Sequence, residues 1–245
     1  MIKRLFRKLI KKSNHKNESL KRFEEQFDLF KKSDINQKLK VEKEDIYPCL
    51  HDNTETTGFD AHYIYHPAWA ARIIREINPS KHIDISSTLH FCSILSAFIP
   101  TEFYDYRPAK LNLSNLVSGE ADLTNLFFET SSIDTISCMH TVEHIGLGRY
   151  GDPIDPDGDI KAIDELIRVV KPGGSILFVT PVGNPKIMFN AHRIYDPHMI
   201  TNLFKNCELK QFSLVTDQNE FIVNSDLADG LSQNYGCGCF WFIKN

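Results

Sequence analysis

The chain has 245 residues, 42% of them hydrophobic and 24% charged, which suits one globular domain with a full core plus an appendage and shows no extreme that calls for a special class. The formal charge of -4 hides a division: residues 1–43 hold 14 Lys/Arg against 6 Asp/Glu, while residues 44–245 hold 14 against 26. An arm drawn to something acidic, a membrane surface or nucleic acid, is thus joined to a body that would itself repel phosphate backbones, so no nucleic acid is expected as a partner of the body.

At the start, Ile2, Leu5, Phe6, Leu9 and Ile10 recur at helical spacing among Lys3, Arg4, Arg7, Lys8, Lys11 and Lys12, a short amphipathic helix with a cationic face. It has neither the continuous apolar core nor the cleavage site of a secretory signal, and no stretch is long enough to span a bilayer. Two readings of residues 1–12 stand side by side. One is peripheral docking on anionic lipid, at about 1 kcal/mol per near-surface Lys or Arg. The other is packing on the body or on a partner subunit. A second helical pattern at Leu20, Phe23, Phe27 and Phe30 is followed by a polar stretch, Ser33 to Asp45, that reads as a linker. The expected organisation is a basic helical extension over 1–45 and an α/β domain over 46–245.

From Phe59 the chain is aromatic, and helical from about Pro67, where proline suits a first turn. His62, Tyr63, Tyr65, His66 and Trp69 form a cluster that reads either as packing of that helix or as a lid or acceptor wall. Strands are predicted at His82 to Ser86, Phe103 to Tyr106, Ile133 to Met139 and Ser175 to Thr180, with a buried helix from Leu89 to Ile99. A second helix, carrying Ile160, Ile163, Leu166, Ile167 and Val170, stops at Lys171-Pro-Gly-Gly174. Strands separated by helices imply βαβ units and a parallel sheet. A short helix after Pro197 precedes two late strands, Glu208 to Thr216 and Tyr235 to Ile243, expected as an antiparallel hairpin at the sheet edge joined by a loop over 217–234. The fold class is α/β, Rossmann-like, mainly parallel with a reversed end.

In open sheets of this kind a ligand sits beyond the carboxyl ends of the strands. The residues there are Asp84 to Thr88 after the first strand and Asp105-Tyr106-Arg107 after the second, where a carboxylate can accept both hydroxyls of a ribose. Gly119 to Leu123 precedes the strand Ile133 to Met139, which runs into His140-Thr-Val-Glu143-His144. Over His82 to Gly183, and most recognisably at Lys171-Pro-Gly-Gly-Ser-Ile-Leu177, the chain resembles the class I S-adenosylmethionine-dependent methyltransferases. More narrowly, the segments Glu143 to Asp159 and Asn190-Ala-His-Arg-Ile-Tyr195 are similar to a DUF268-like branch of that superfamily, which brings a fold and a cofactor but no substrate. The resemblance implies S-adenosylmethionine as cofactor, with Asp84 and Ser86 flanking its methionine part, Asp105 and Tyr106 at the ribose, Asp122 and Leu123 at adenine, and His140 beside it.

For methyl transfer the enzyme supplies positioning and, for a hydroxyl acceptor, a base. Histidine, with an unperturbed pKa of about 6.5, is the usual choice, so His140 or His144 is expected as base with Glu143 as orienter. Glu143 can instead serve as a structural cap. Gly146-Leu-Gly148-Arg-Tyr-Gly151 is a literal dinucleotide fingerprint in the wrong place, since it follows a late strand and runs into Asp152-Pro153. It reads instead as a glycine-dependent turn, or as a loop that presents Arg149, Tyr150 and Asp152 to substrate. Arg149 or His192-Arg193 would suit an anionic acceptor.

Asp152, Asp155, Asp157 and Asp159 miss the spacing of a calcium loop, and Asp157 suits a helix N-cap. Cys237-Gly-Cys239 lacks a second pair, so no metal is expected and these read as core strand cysteines. All six cysteines read as reduced cytosolic thiols, in a cytoplasmic protein able to touch the inner membrane face through its arm.

The leading expectation is a methyltransferase for a small polar or glycan-type acceptor. The second is a non-catalytic or repurposed scaffold recruited by the arm, favoured by the absence of glycine from Ile85-Ser-Ser-Thr-Leu-His90, where the family usually has a glycine-rich loop. A third, an NAD- or nucleotide-sugar-using enzyme, has the misplaced glycine motif against it.

Overall fold

The computed structural model describes residues 2–35 and 39–245, with side chains described over 17–35 and 39–245. It divides into two compact units, Met1–Gly58 and Phe59–Asn245. In the first, a single helix α1, Ile2–Ser33, replaces the two helices expected from periodicity. The residues between the two patterns include neither proline nor glycine, so nothing in them ends a helix. The apolar face assigned to residues 1–12 consists of side chains outside those described. Among the described residues no helix is long and apolar enough to cross a membrane.

The second unit opens with α2, Ala61–Ile77, six residues before the start expected at Pro67. Asp60 is the reason: its Oδ1 accepts the Tyr63 N–H at 3.3 Å, a capping bond that starts the helix and leaves Pro67 inside it. At the far end Asn78 takes the left-handed conformation at φ 48° and donates to the Ile74 carbonyl, which closes the helix.

The sheet has eight strands: β1 His82–Ile85, β2 Thr101–Asp105, β3 Leu116–Glu120, β4 Ile133–Met139, β5 Val170–Val182, β8 Cys207–Val215, β9 Phe221–Ile222 and β10 Gly236–Lys244, in the order β3-β2-β1-β4-β5-β10-β8-β9. The first five are parallel, and β10 runs antiparallel to both β5 and β8. Helices α3 Leu89–Leu95, α4 Gly158–Val169 and α5 Pro197–Leu203 stand close to where the sequence places them, although α3 ends four residues early. A small hairpin, the exposed β6 Lys186–Met188 with the largely buried β7 His192–Ile194, and the short α6, Leu227–Leu231, complete the unit.

The late antiparallel hairpin stands at one end of the sheet, with β8 outermost but for the two-residue β9. β10 is its inner strand, and Cys237 to Phe242 is accordingly apolar on both faces. At its centre a Cβ on Gly238 would come within 2.6 Å of Val182 Cγ1, so the close approach to β5 requires glycine. Phe204 stacks on Phe242 at 4.2 Å, and Phe178 and Phe240 fill the same core. A second core, with Trp69, Ile74, Phe91 and Trp241, holds α2 and α3 on the opposite face of the sheet. The crossovers therefore leave every parallel strand ending at one rim, and the site lies there.

Candidate active site

Beyond the carboxyl ends of β1, β2 and β3 lies a cavity of about 290 Å³, lined among others by Ser86, Asp105, Tyr106, Asp122, Leu123 and His140. Its floor is apolar, with Ala121 and Leu123 buried. The glycine-free turn after β1 is made by Ser86 at φ 55°, the left-handed conformation usually left to glycine, with its N–H donating to the Tyr104 carbonyl at 2.7 Å. Thr141 pins it from the other side by donating to the Ser86 carbonyl at 2.8 Å.

The carboxylates at this rim differ in what they can still do. Asp105 Oδ1 accepts the Arg107 N–H at 2.7 Å, and Asp122 Oδ1 accepts both donors of Thr124, so each has a second oxygen left for a ligand. Asp84 does not reach the cavity. It is fully buried beneath it, accepting from the Ser87 N–H at 3.1 Å and from the Ser137 hydroxyl. Burial pushes its pKa up to about 6, against the hydrogen bonds from Ser137 and Ser87. The neighbouring His82 imidazole is pushed down to about 3 by burial and is neutral. Asp84 is therefore a support for the turn and not a contact to the methionine part.

At the end of β4 the chain turns through His140, at φ 56°, into a short 3-10 turn over Val142–His144. That turn returns Glu143 beneath His140, so that Glu143 Oε1 lies 2.9 Å from His140 Nδ1 and 3.8 Å from His144 Nε2, with Glu143 only 1% exposed. Burial opposes a charge on His140, the Glu143 carboxylate beside it favours one, and the His140 pKa is raised, while burial pushes the neighbouring Cys237 thiol well up and keeps its sulfur uncharged. His144 Nδ1 lies 2.6 Å from the Ala191 carbonyl, which takes an N–H there, and Arg149 Nη1 stands 3.2 Å from the same nitrogen.

Around these two residues runs a circuit of rings. His62 stacks on His140 at 5.4 Å and on Tyr235 at 5.3 Å, His192 meets Tyr235 at 5.1 Å and His144 at 6.4 Å, and Tyr63 stacks on His140 at 5.4 Å. Burial and His140 lower His62 to about 4, and burial with His144 lowers His192, so both rings are neutral near pH 7.

The sequence profile described as "Caenorhabditis protein of unknown function, DUF268" matches residues 110–232, half of the chain. The chain belongs to the DUF268 family. Comparison with curated proteins finds no match. Among solved structures, the unit resembles class I methyltransferases in fold. The N-methyltransferase NodS of Bradyrhizobium japonicum WM9, solved with S-adenosylhomocysteine, is 14% identical with a TM-score of 0.53, covering 80% of this chain and 91% of its own. YcgJ of Bacillus subtilis is 12% identical with a TM-score of 0.51, covering 74% of this chain and 98% of its own.

In this DUF268 protein the two long motifs hold each other. Arg193 is buried, donates to the Ile145 and Pro156 carbonyls at 2.6 and 3.2 Å, and lies 3.4 Å from Asp159, whose other partner is the Tyr195 hydroxyl at 2.9 Å. Arg193 is thus a clasp on the loop rather than a group offered to an anionic substrate. Asp152 lines the cavity and is held by backbone, with Oδ2 accepting from Gly146 and Gly148 and Oδ1 from Tyr150, so it shapes the glycine loop. The turn needs its glycine: Gly146 has φ +78°, and a Cβ there would stand 2.0 Å from the Asp155 carbonyl. Arg149 is exposed and donates to the Ala191 carbonyl at 3.2 Å, outside the cavity lining. Arg107 covers the Tyr150 ring at 4.7 Å at the cavity wall. Asp155 pairs with Lys161 at 2.6 Å, and Asp157 is the α4 N-cap by position without a side-chain bond.

Sequence reasoning missed Thr141, Tyr235 and the approach of Cys237 to His140. Only the aromatic density of 59–69 signalled the His62 wall, and there the two readings divide the residues: Trp69 packs in the interior while His62, Tyr63 and the buried His66 lie against His140.

Proposed function

We propose that the protein transfers a methyl group from S-adenosylmethionine to a small polar or glycan-type acceptor. The observation that carries this reading is the pair Asp105 and Asp122, each with a free carboxylate oxygen, above the apolar floor of Ala121 and Leu123 at the rim of a parallel sheet. That set suits an adenosine: the ribose hydroxyls donate to Asp105, the exocyclic amino group of adenine donates to Asp122, and the flat base lies on the apolar residues below. The fit extends to the first turn, since Ser86 already takes the backbone conformation for which glycine is usually kept. When bound, the cofactor supplies an electrophilic methyl on a sulfonium.

The chain's own residues do the rest. Tyr106 and Leu123 hold the nucleoside, and Thr141 fixes the Ser86 turn against it. Glu143 engages His140 at Nδ1, so His140 is fixed in place beside the acceptor rather than free to act as its base. His144, with Nδ1 committed to Ala191, takes the acceptor's proton on Nε2. The neutral rings His62, His192 and Tyr235 wall the acceptor with hydrogen-bonding edges and no net charge, which suits a polyhydroxylated or amine-bearing small molecule.

Isothermal titration of the full chain with S-adenosylmethionine and, in parallel, with NAD tests the reading. One equivalent of S-adenosylmethionine binding, with no NAD binding, is the expected result. Binding of neither would leave the fold as a scaffold and end the enzymatic proposal.

A further inference from the structure

Three side chains from distant parts of the chain meet beside the cavity. His62 of α2, His140 after β4 and Cys237 at the start of β10 offer one ligand atom each, and these atoms all lie within 4.8 Å of one another. His140 and Cys237 are buried and His62 is half-buried. His140 Nδ1 is engaged by Glu143, while its Nε2 is buried with no hydrogen-bond partner, an orphan nitrogen in a site where polar atoms are normally satisfied.

We infer that His62, His140 and Cys237 bind a divalent transition metal of the zinc class, with one coordination position left open. The donor set is the one such ions choose, two imidazoles and a thiolate, and the surroundings match their usual second shell. Glu143 holds the far nitrogen of His140 in a carboxylate–histidine–metal arrangement, and the Tyr235 backbone carbonyl lies beside the His62 ring. Tetrahedral zinc sets its nitrogen and sulfur donors about 3.4–3.6 Å apart, so the three must close by up to about 1.4 Å. His62 can supply that movement, since it is only half-buried and also lines an open recess with Asp60, Asp217 and Tyr235 that gives an ion a way in.

On binding, the Cys237 thiol proton and any proton on His140 Nε2 leave to solvent, and the sulfur and nitrogen electron pairs go to the metal, with no change of oxidation state. Three protein donors leave the fourth position for water or for a heteroatom of a small molecule. The inference does not depend on methyl transfer: a metal would sit here whether or not the neighbouring cavity takes a nucleoside.

The test uses the full chain, with zinc and cobalt(II) as probes. Purified without chelator and dialysed against zinc, it is expected to retain about one equivalent by elemental mass spectrometry. The cobalt-loaded chain is expected to show a thiolate-to-cobalt charge-transfer band in the near ultraviolet. Cys237→Ser should abolish that band while Cys239→Ser, 3.9 Å away at sulfur, keeps it. His62→Gln, at a half-buried position where folding is not at stake, should weaken zinc binding at least about tenfold. Failure to retain zinc, a band that survives Cys237→Ser, a band lost with Cys239→Ser instead, or unchanged affinity in His62→Gln would each overturn the site. Should Cys237→Ser fail to fold by circular dichroism, the His62→Gln affinity decides alone.

Discussion

On the β1–β3 side of the cavity the polar groups are largely used by the backbone that carries them. Asp84 serves Ser87 and Ser137, Asp105 serves Arg107, and Asp122 serves Thr124. On the β4–β10 side the opposite holds, and buried side-chain atoms of His66, His140, Glu143 and His192 have no partner. The first side is a rigid cradle whose remaining acceptors suit a fixed ligand. Unsatisfied buried groups cost about 1–3 kcal/mol each, so their concentration on the second side marks where something else is meant to bind or react.

Removing the proposed base would sharpen that contrast most. His144→Asn should lower methyl transfer by about 10²- to 10⁴-fold in single-turnover assays while S-adenosylmethionine affinity stays within a factor of about two. Equal losses in both would move His144 to the cradle. Less drastically, Asp152→Ala strips three loop N–H groups of their acceptor and should cost about 1–2 kcal/mol, read as a lowered unfolding midpoint. An unchanged midpoint would mean that water replaces the carboxylate and the loop is not held as described.

The smallest effect tests the buried support. Asp84 has a folded pKa of about 6, above its unfolded value, so the native state binds the extra proton. Its contribution is most favourable in acid and is lost as pH rises through the window from about 4 to about 6. Between pH 5 and 8 this costs the wild type about 1 kcal/mol, and Asp84→Asn should abolish that component. Thermal unfolding of both proteins at the two pH values checks it, and identical pH slopes would show Asp84 to be ionised without penalty.

What was legible followed from local pattern. The sequence places β4 to the residue and β1, α4, α5, β8 and β10 nearly so, because burial imposes continuous apolar runs on strands and a stripe on helices. β5 instead starts at Val170, five residues before the expected Ser175, and runs through the Lys171 to Gly174 stretch expected as a turn. β3 was not, since an edge strand with mostly half-exposed residues carries no such pattern. The start of α2 was misread because Asp60, a capping residue, was weighed less than Pro67. At the site, the position of Asp105 and His140 at the strand-end rim was legible from chain order and that of Asp122 from the resemblance, whereas the partners of Asp84 and Asp152 were not, because whether a carboxylate faces a cavity or its own backbone depends on a turn of one or two residues.

By itself the sequence determined the alternation of strands and helices, the rim at which a ligand would sit, and the DUF268 motifs. Those follow from periodicity and chain order, which need no knowledge of distance. Only the tertiary structure decided that β10 enters the sheet between β5 and β8, and so that Cys237 comes to rest beside His140 and His62. The reason is physical: strand insertion is settled by which apolar faces must be covered together, and a cluster built from three remote segments leaves no spacing in the chain to read.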